Sequence, residues 1–338
     1  MSVFFLSNIH FSFAKIYFNT FEINIFHSNF VAMDFESSNK IFSPGKLLLT
    51  SEYVVLDGAL AFAVPTKLGQ EFFFEEIEDG KSLISWYAFH QEKPWLNAEI
   101  DYQNWRILDA NIPEAAEFIL KVFKQIQQLS SIKFKENHSY YLKTNLQFPS
   151  NFGLGSSSTL MTNLAEWAEI DAFQLNELCL GGSGYDIAVA KEKAAILYQN
   201  SNSRRKIEKI YFNPVFKNEL IFIHLNQKQD SREGINLYRS KTKSPELISD
   251  FSELTKEVIQ CNELEKFSEL MQIHEQKLSH FLGIQTSKEK YFEECPVFIK
   301  SLGAWGGDFV MSRKFAGFQE YFLGKGFSTV FEWSDLID

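Results

Sequence analysis

Residues 149–159 read Pro-Ser-Asn-Phe-Gly-Leu-Gly-Ser-Ser-Ser-Thr, a loop between an apolar run ending at Phe148 and a helical pattern beginning at Thr159. Glycine permits positive φ and close approach of a ligand to the backbone, and phosphate binding by successive backbone N–H groups uses both. Gly153 and Gly155 would let the loop wrap around an anion, while Ser156, Ser157 and Ser158 would supply hydroxyls. The helix that follows would aim its N-terminal dipole at the same point. Neither the P-loop spacing G-x-x-x-x-G-K-[ST] nor the dinucleotide GxGxxG occurs. By itself a Gly/Ser loop before a helix also describes a capped turn. Asp186, in Gly-Ser-Gly-Tyr-Asp, has the same two readings, since aspartate before a helical run is a frequent N-cap as well as a possible base.

The elements that would carry these residues follow from hydrophobic period and turn chemistry. From Lys40 to Phe74 apolar runs are punctuated by Gly45, Gly58, Pro65 and Gly69, the pattern of short strands and turns. Residues 80–105 predict a further hairpin, and Glu114–Leu129 places Ala116, Ile119, Leu120, Phe123 and Ile126 on a helical period. Tyr140–Phe148 is predicted as the strand feeding the Gly/Ser loop and Thr159–Ile170 as the helix leaving it. Beyond these come a helix over Ile187–Tyr198, strands at Lys209–Phe212 and Leu220–Leu225, a long helical region over Ser249–Leu282, and a strand–helix–strand tail. No repeat or low-complexity linker appears, and element pattern alone puts a domain boundary near residue 200.

Composition narrows the function classes. With 338 residues, 45% apolar and 22% charged, the chain is that of a globular protein with room for two or three domains. Acidic residues outnumber basic ones by 43 to 33, for a net charge of −10, so no global positive field recruits nucleic acid or an anionic membrane. Three cysteines without C-x-x-C spacing exclude a disulfide framework and fit a reducing, cytoplasmic compartment. Phenylalanine is abundant, 35 in all, with 8 in residues 1–32, where Lys15 and Glu22 are the only charged side chains. That segment lacks the features of a signal peptide and the length of a membrane span. Met33 opens a stretch that reads like an ordinary protein start, so residues 1–32 are expected to be a dispensable extension, the alternative being an extra apolar hairpin.

The Gly/Ser loop is similar to the second motif of the GHMP kinase superfamily, the galactokinase, homoserine kinase, mevalonate kinase and phosphomevalonate kinase group. Ser43–Gly58, Ser-Pro-Gly-Lys-Leu-Leu-Leu-Thr-Ser-Glu-Tyr-Val-Val-Leu-Asp-Gly, resembles its first motif, with Ser51 where glycine is usual. Gly181–Ala190 resembles the segment that carries the catalytic aspartate in the mevalonate branch, and also a bacterial subgroup named after its Gly-Tyr-Asp-Ile-Ala string. Leu302–Phe309 resembles the third, glycine-rich motif, with Trp305 in place of a glycine.

The resemblance implies an α+β, two-domain GHMP kinase fold: a ribosomal S5-like N-terminal domain over residues 33–200 and a ferredoxin-like C-terminal domain over 201–338. It implies ATP and Mg²⁺, with Gly153, Leu154, Gly155, Ser156, Ser157 and Ser158 around the phosphates and Ser157 on the metal. Asp186 would orient or deprotonate the acceptor hydroxyl, and Lys46 would depress the pKa of Asp186 or stabilise transferred charge. Glu177 is a second candidate metal ligand, Glu52 a buttress, and Arg204, Arg205 and Arg232 candidates for an acceptor anion. Trp305 is expected beside the ligand, the alternative being an indole turned into the core. The implied reaction is phosphorylation of a small acid, mevalonate or phosphomevalonate, with a small-molecule acceptor as partner, no nucleic acid or membrane, and the oligomeric state left open. The rivals are a diphosphomevalonate decarboxylase and a noncatalytic ligand-binding member.

Overall fold

The computed structural model describes residues 39–201, 204–226, 231–303, 305 and 307–337, with backbone alone at 231 and 232. The expectation for residues 1–32 and Met33 lies outside them. Twelve strands among the described residues form two sheets. The first holds β1 (Lys40–Leu48), β2 (Ala61–Glu78), β3 (Leu83–His90), β4 (Lys93–Asp101), β5 (Arg106–Ala110), β6 (His138–Leu146), β7 (Ile196–Ser201) and β8 (Arg204–Lys209). Their order is β5-β4-β3-β6-β2-β7-β8 with β1 on β2, and β3–β6 is the one parallel pairing. The second sheet has the order β10-β11-β9-β12, from β9 (Leu220–His224), β10 (Lys300–Leu302), β11 (Phe309–Arg313) and β12 (Val330–Glu332). The chain thus changes sheet within residues 210–219.

Four helices accompany the first sheet: α1 (Pro113–Leu129), α2 (Ser156–Ala168), α3 (Ala172–Cys179) and α4 (Tyr185–Glu192). Helix α1 starts with proline, whose missing N–H costs nothing in a first turn, and buries Ala116, Ile119, Leu120, Val122, Phe123 and Ile126 as its period demands. That face meets an aromatic cluster in which Trp86 lies edge-on to Phe123 at 5.6 Å and Tyr140 edge-on to Trp167 at 5.8 Å. A second core joins Leu47, Phe62 and Leu146 of the first sheet to Phe222 and Met311 of the second. Helices α5 (Ser231–Ser240), α6 (Pro245–Gln260) and α7 (Leu264–Leu282) follow β9.

Three expectations are corrected. The strand predicted at Lys209–Phe212 lies earlier in the chain, as β8 ends at Lys209. The helix predicted over Ile187–Tyr198 ends at Glu192, because Lys193 turns left-handed and Ile196–Tyr198 pairs with Ala61–Ala63 of β2. The long helical region is two helices, broken where Cys261 leaves helical geometry and the chain extends through Glu263. No described helix is long and apolar enough to cross a membrane, and the three cysteines are free.

Candidate active site

A cavity of 610 Å³ draws together all four glycine-bearing segments. β1 follows β2 until a bulge between Pro44 and Lys46. There the Lys46 N–H leaves the sheet and donates to the Leu154 carbonyl at 2.9 Å, docking the first motif on the Gly/Ser loop. A bulge re-aims its side chain. Lys46, only 8% exposed, points its ammonium into the cavity and donates to the Gly153 carbonyl at 2.8 Å.

Gly155, at φ 87°, is the N-cap of α2, a left-handed position that costs L-residues with a Cβ. No side chain caps this helix, so the positive end of its dipole is left for another partner. Gly153, Gly155, Ser156 and Ser157 line the cavity. The side chains of Leu154 and Ser158 do not line it. Leu154 is fully buried in the core, and the buried Ser158 hydroxyl donates to the Gly155 carbonyl at 2.8 Å, bracing the loop from behind.

Asp186 enters the cavity from the first turn of α4, where Gly184 and not the aspartate is the N-cap. Its Oδ1 accepts the Ile187 N–H at 3.0 Å. Burial pushes the Asp186 carboxyl above the usual carboxylate range, with Lys46 pulling against it. Burial alone would lower the Lys46 pKa, but Tyr185, Asp308 and Asp186 around it outweigh that effect and hold it above the ordinary value. Tyr185, whose ring centroid lies 5.6 Å from Lys46 Nζ, is shifted upward by burial, with Lys46 opposing. The result is a permanent ammonium beside a carboxylate of raised basicity.

The third glycine-rich segment corrects the expectation for Trp305. Its indole is 4% exposed and turned away from the cavity, with Nε1 donating to Glu275 Oε2 at 3.1 Å and the backbone N–H donating to the Tyr53 hydroxyl at 3.0 Å. Glu275 also accepts from the Ser301 N–H at 3.0 Å and the Ser301 hydroxyl at 2.8 Å. Next to it Lys300, fully buried, pairs with Glu52 at 2.7 Å, so Glu52 buttresses the site. Ser51 adopts φ 65°, a strained angle that explains a glycine preference there. Its N–H donates to His274 Nε2 at 2.7 Å and its hydroxyl to the Leu60 carbonyl at 2.7 Å, which offsets the strain. Burial holds His274 well below its ordinary pKa, so the ring is neutral and accepts that bond.

The remaining wall comes from the turn Val54–Asp57 and from α5. A Cβ on Gly234 would collide with the Tyr53 ring and hydroxyl, so glycine within this helix, which costs about 1 kcal/mol of helix stability relative to alanine, allows the close approach. Ile235, Asn236 and Arg239 of α5 line the cavity, as do Val55 and Leu56. Glu177 is not brought in: α3 buries its other face, and the exposed Glu177 carboxylate pairs with Arg205 at 3.5 Å. Arg205 lies over the Phe173 ring at 4.6 Å, and neither it nor Arg204 lines the cavity. The Arg232 side chain is outside the description. Asp308, Tyr185 and Arg239 line the cavity without having been singled out from sequence. The first two adjoin quoted motifs, whereas nothing in the sequence marked Arg239.

No protein-family profile matches the chain, and no curated protein is recognisably similar to it in sequence. Solved structures are similar to it in fold. They include L. major mevalonate kinase in complex with R-mevalonate, at TM-score 0.63 and 16% identity over 87% of this chain and 94% of that one. Streptococcus pneumoniae phosphomevalonate kinase in complex with phosphomevalonate and AMPPNP gives TM-score 0.63 and 16% identity over 87% and 99%. Lactococcus lactis galactokinase complexed with galactose gives 0.60 and 14% over 90% and 93%. The chain has the α+β fold of the GHMP kinases.

Proposed function

We propose that this chain is an ATP- and Mg²⁺-dependent kinase that transfers the γ-phosphoryl group to a hydroxyl or phosphate of a small acid, mevalonate or phosphomevalonate. The observation that carries this reading is the convergence of Lys46 and Asp186 at the uncapped N-terminus of α2. Phosphoryl transfer demands positioning and charge neutralisation more than covalent chemistry. The Gly153–Ser157 backbone would hold the phosphates, Lys46 would stabilise charge on the transferred group, and Asp186 would orient the acceptor hydroxyl and take its proton. The residues fit Mg²⁺ as well: Ser157 and Asp308, both oxygen donors, line the same cavity as the glycine cradle. Mg²⁺ held there would neutralise negative charge on the phosphates.

An acidic acceptor is supported by Arg239, which lines the cavity together with Val55, Leu56 and Ile235. A guanidinium in a cavity with apolar lining suits a small aliphatic body with an anionic end. Phosphomevalonate and AMPPNP are bound together in the S. pneumoniae enzyme of this fold. Arg239→Ala is expected to raise the acceptor KM by roughly 10- to 100-fold, the worth of one charged hydrogen bond, with kcat nearly unchanged. A rise in the ATP KM instead would place α5 on the nucleotide.

ADP release measured in parallel with mevalonate, phosphomevalonate and diphosphomevalonate, with CO₂ monitored, tests the reading. The first or second acceptor should support turnover. CO₂ from the third would assign the decarboxylase, and nucleotide binding without ADP from any would assign a noncatalytic binder.

A further inference from the structure

The glycine-rich third segment delivers a carboxylate to the phosphate cradle. Asp308 is 5% exposed and lines the cavity. Its side chain lies flat against the loop expected to hold phosphates: a Cβ on Gly153 would collide with Asp308 Cγ and Oδ2, and a Cβ on Gly303 would lie 3.7 Å from Oδ2. The segment is held in place at several points. The Asp308 carbonyl accepts the Leu225 N–H at 2.9 Å, and Trp305 is tied to Tyr53 and Glu275. Asp308 is therefore fixed where a polyphosphate would sit, and it shares the Lys46 ammonium with Asp186.

A polyphosphate brought against the Asp186 and Asp308 carboxylates adds like charge, which a cation arriving with it would offset. We propose that Asp308 is a ligand of the divalent cation that accompanies the nucleotide, in the role the sequence had suggested for Glu177. No group of three or more His, Cys, Asp or Glu that could hold a metal occurs among the described residues, so the protein builds no complete cage. Mg²⁺ characteristically takes one or two carboxylates and completes its shell with substrate phosphates and water. The inference rests on the ATP-binding reading above.

The test is equilibrium binding of a non-hydrolysable ATP analogue, with Mg²⁺ and with chelator, to the wild type, Asp308→Asn and Glu177→Gln. The wild type should bind the analogue roughly tenfold or more tightly with Mg²⁺ than without, a difference of about 1.4 kcal/mol. In Asp308→Asn the metal-free affinity should rise, because a negative charge has left the cradle, and the Mg²⁺ enhancement should largely vanish. Glu177→Gln should keep the wild-type ratio. If Asp308 serves only as a counter-ion of Lys46, its removal strengthens binding equally with and without metal and the ratio is unchanged, which overturns the assignment while leaving the kinase reading intact. A wild type that binds no analogue under either condition overturns both. Asp308→Ser, which also removes the charge, carries the same comparison if the asparagine variant does not fold.

Discussion

Asp186→Asn is expected to lower kcat by roughly 10² or more while leaving the melting temperature and nucleotide affinity close to wild type. Asparagine preserves the size of the side chain and an oxygen for the Ile187 N–H, which Asp186 Oδ1 accepts at 3.0 Å, but it cannot take a proton. The cap of α4 is Gly184, so no helix cap is lost with the substitution. The pH profile adds a second criterion. Burial raises the Asp186 pKa, so the acid limb of kcat/KM in the wild type should have its midpoint above the usual carboxylate range, activity falling as pH drops through it. That limb should disappear in the variant's residual activity. Turnover within a few fold of wild type would eliminate Asp186 as the base and leave positioning by Lys46 and the cradle as the mechanism.

Lys300→Met is expected to destabilise the protein by about 3–5 kcal/mol, because it leaves Glu52 buried and uncompensated. Lys300 and Glu52 are fully buried, paired at 2.7 Å, and Lys300 stands 3.8 Å from Glu275. Burial already pushes the Glu52 carboxyl upward, with Lys300 as the principal opposing influence. Adding Glu52→Gln to Lys300→Met removes the stranded charge and should recover much of the loss, a non-additivity expected of residues in contact. Denaturant unfolding would show a lower midpoint with an unchanged slope. A single variant within about 1 kcal/mol of wild type would mean that the network contributes little beyond packing.

The parts of this site that were legible in the sequence are those recognised through backbone. Gly153, Gly155 and Lys46 could be read because a glycine cradle and a bulged Pro-Gly-Lys turn impose their residue types locally, and Asp186 because it heads a helix behind a Gly-Ser-Gly turn. What escaped depends on direction or on partners far away in the chain. Glu177 and Asn176 are adjacent, yet α3 buries Phe173, Leu175 and Asn176 and leaves Glu177 outside, a distinction that spacing to Asp186 does not reveal. Trp305 reads as a glycine replacement at a ligand loop, but an indole N–H removed from water requires an acceptor, and Glu275 supplies it from α7. Lys300 and Glu52 are 248 residues apart, beyond any local pattern. The same limit applies to the fold. Helix α1 follows its period, whereas Ile196–Tyr198 is apolar enough for either state and becomes strand because β2 is there to pair with it.

Movement of label from γ-³²P-ATP to the acceptor tests the kinase reading most directly. Wild-type protein incubated with Mg²⁺ and mevalonate or phosphomevalonate should yield a labelled, phosphorylated acid and an equal amount of ADP, and Asp186→Asn should yield it at least roughly a hundredfold more slowly. ADP without label on any acceptor, or no ADP at all from a protein that melts cooperatively, would contradict it.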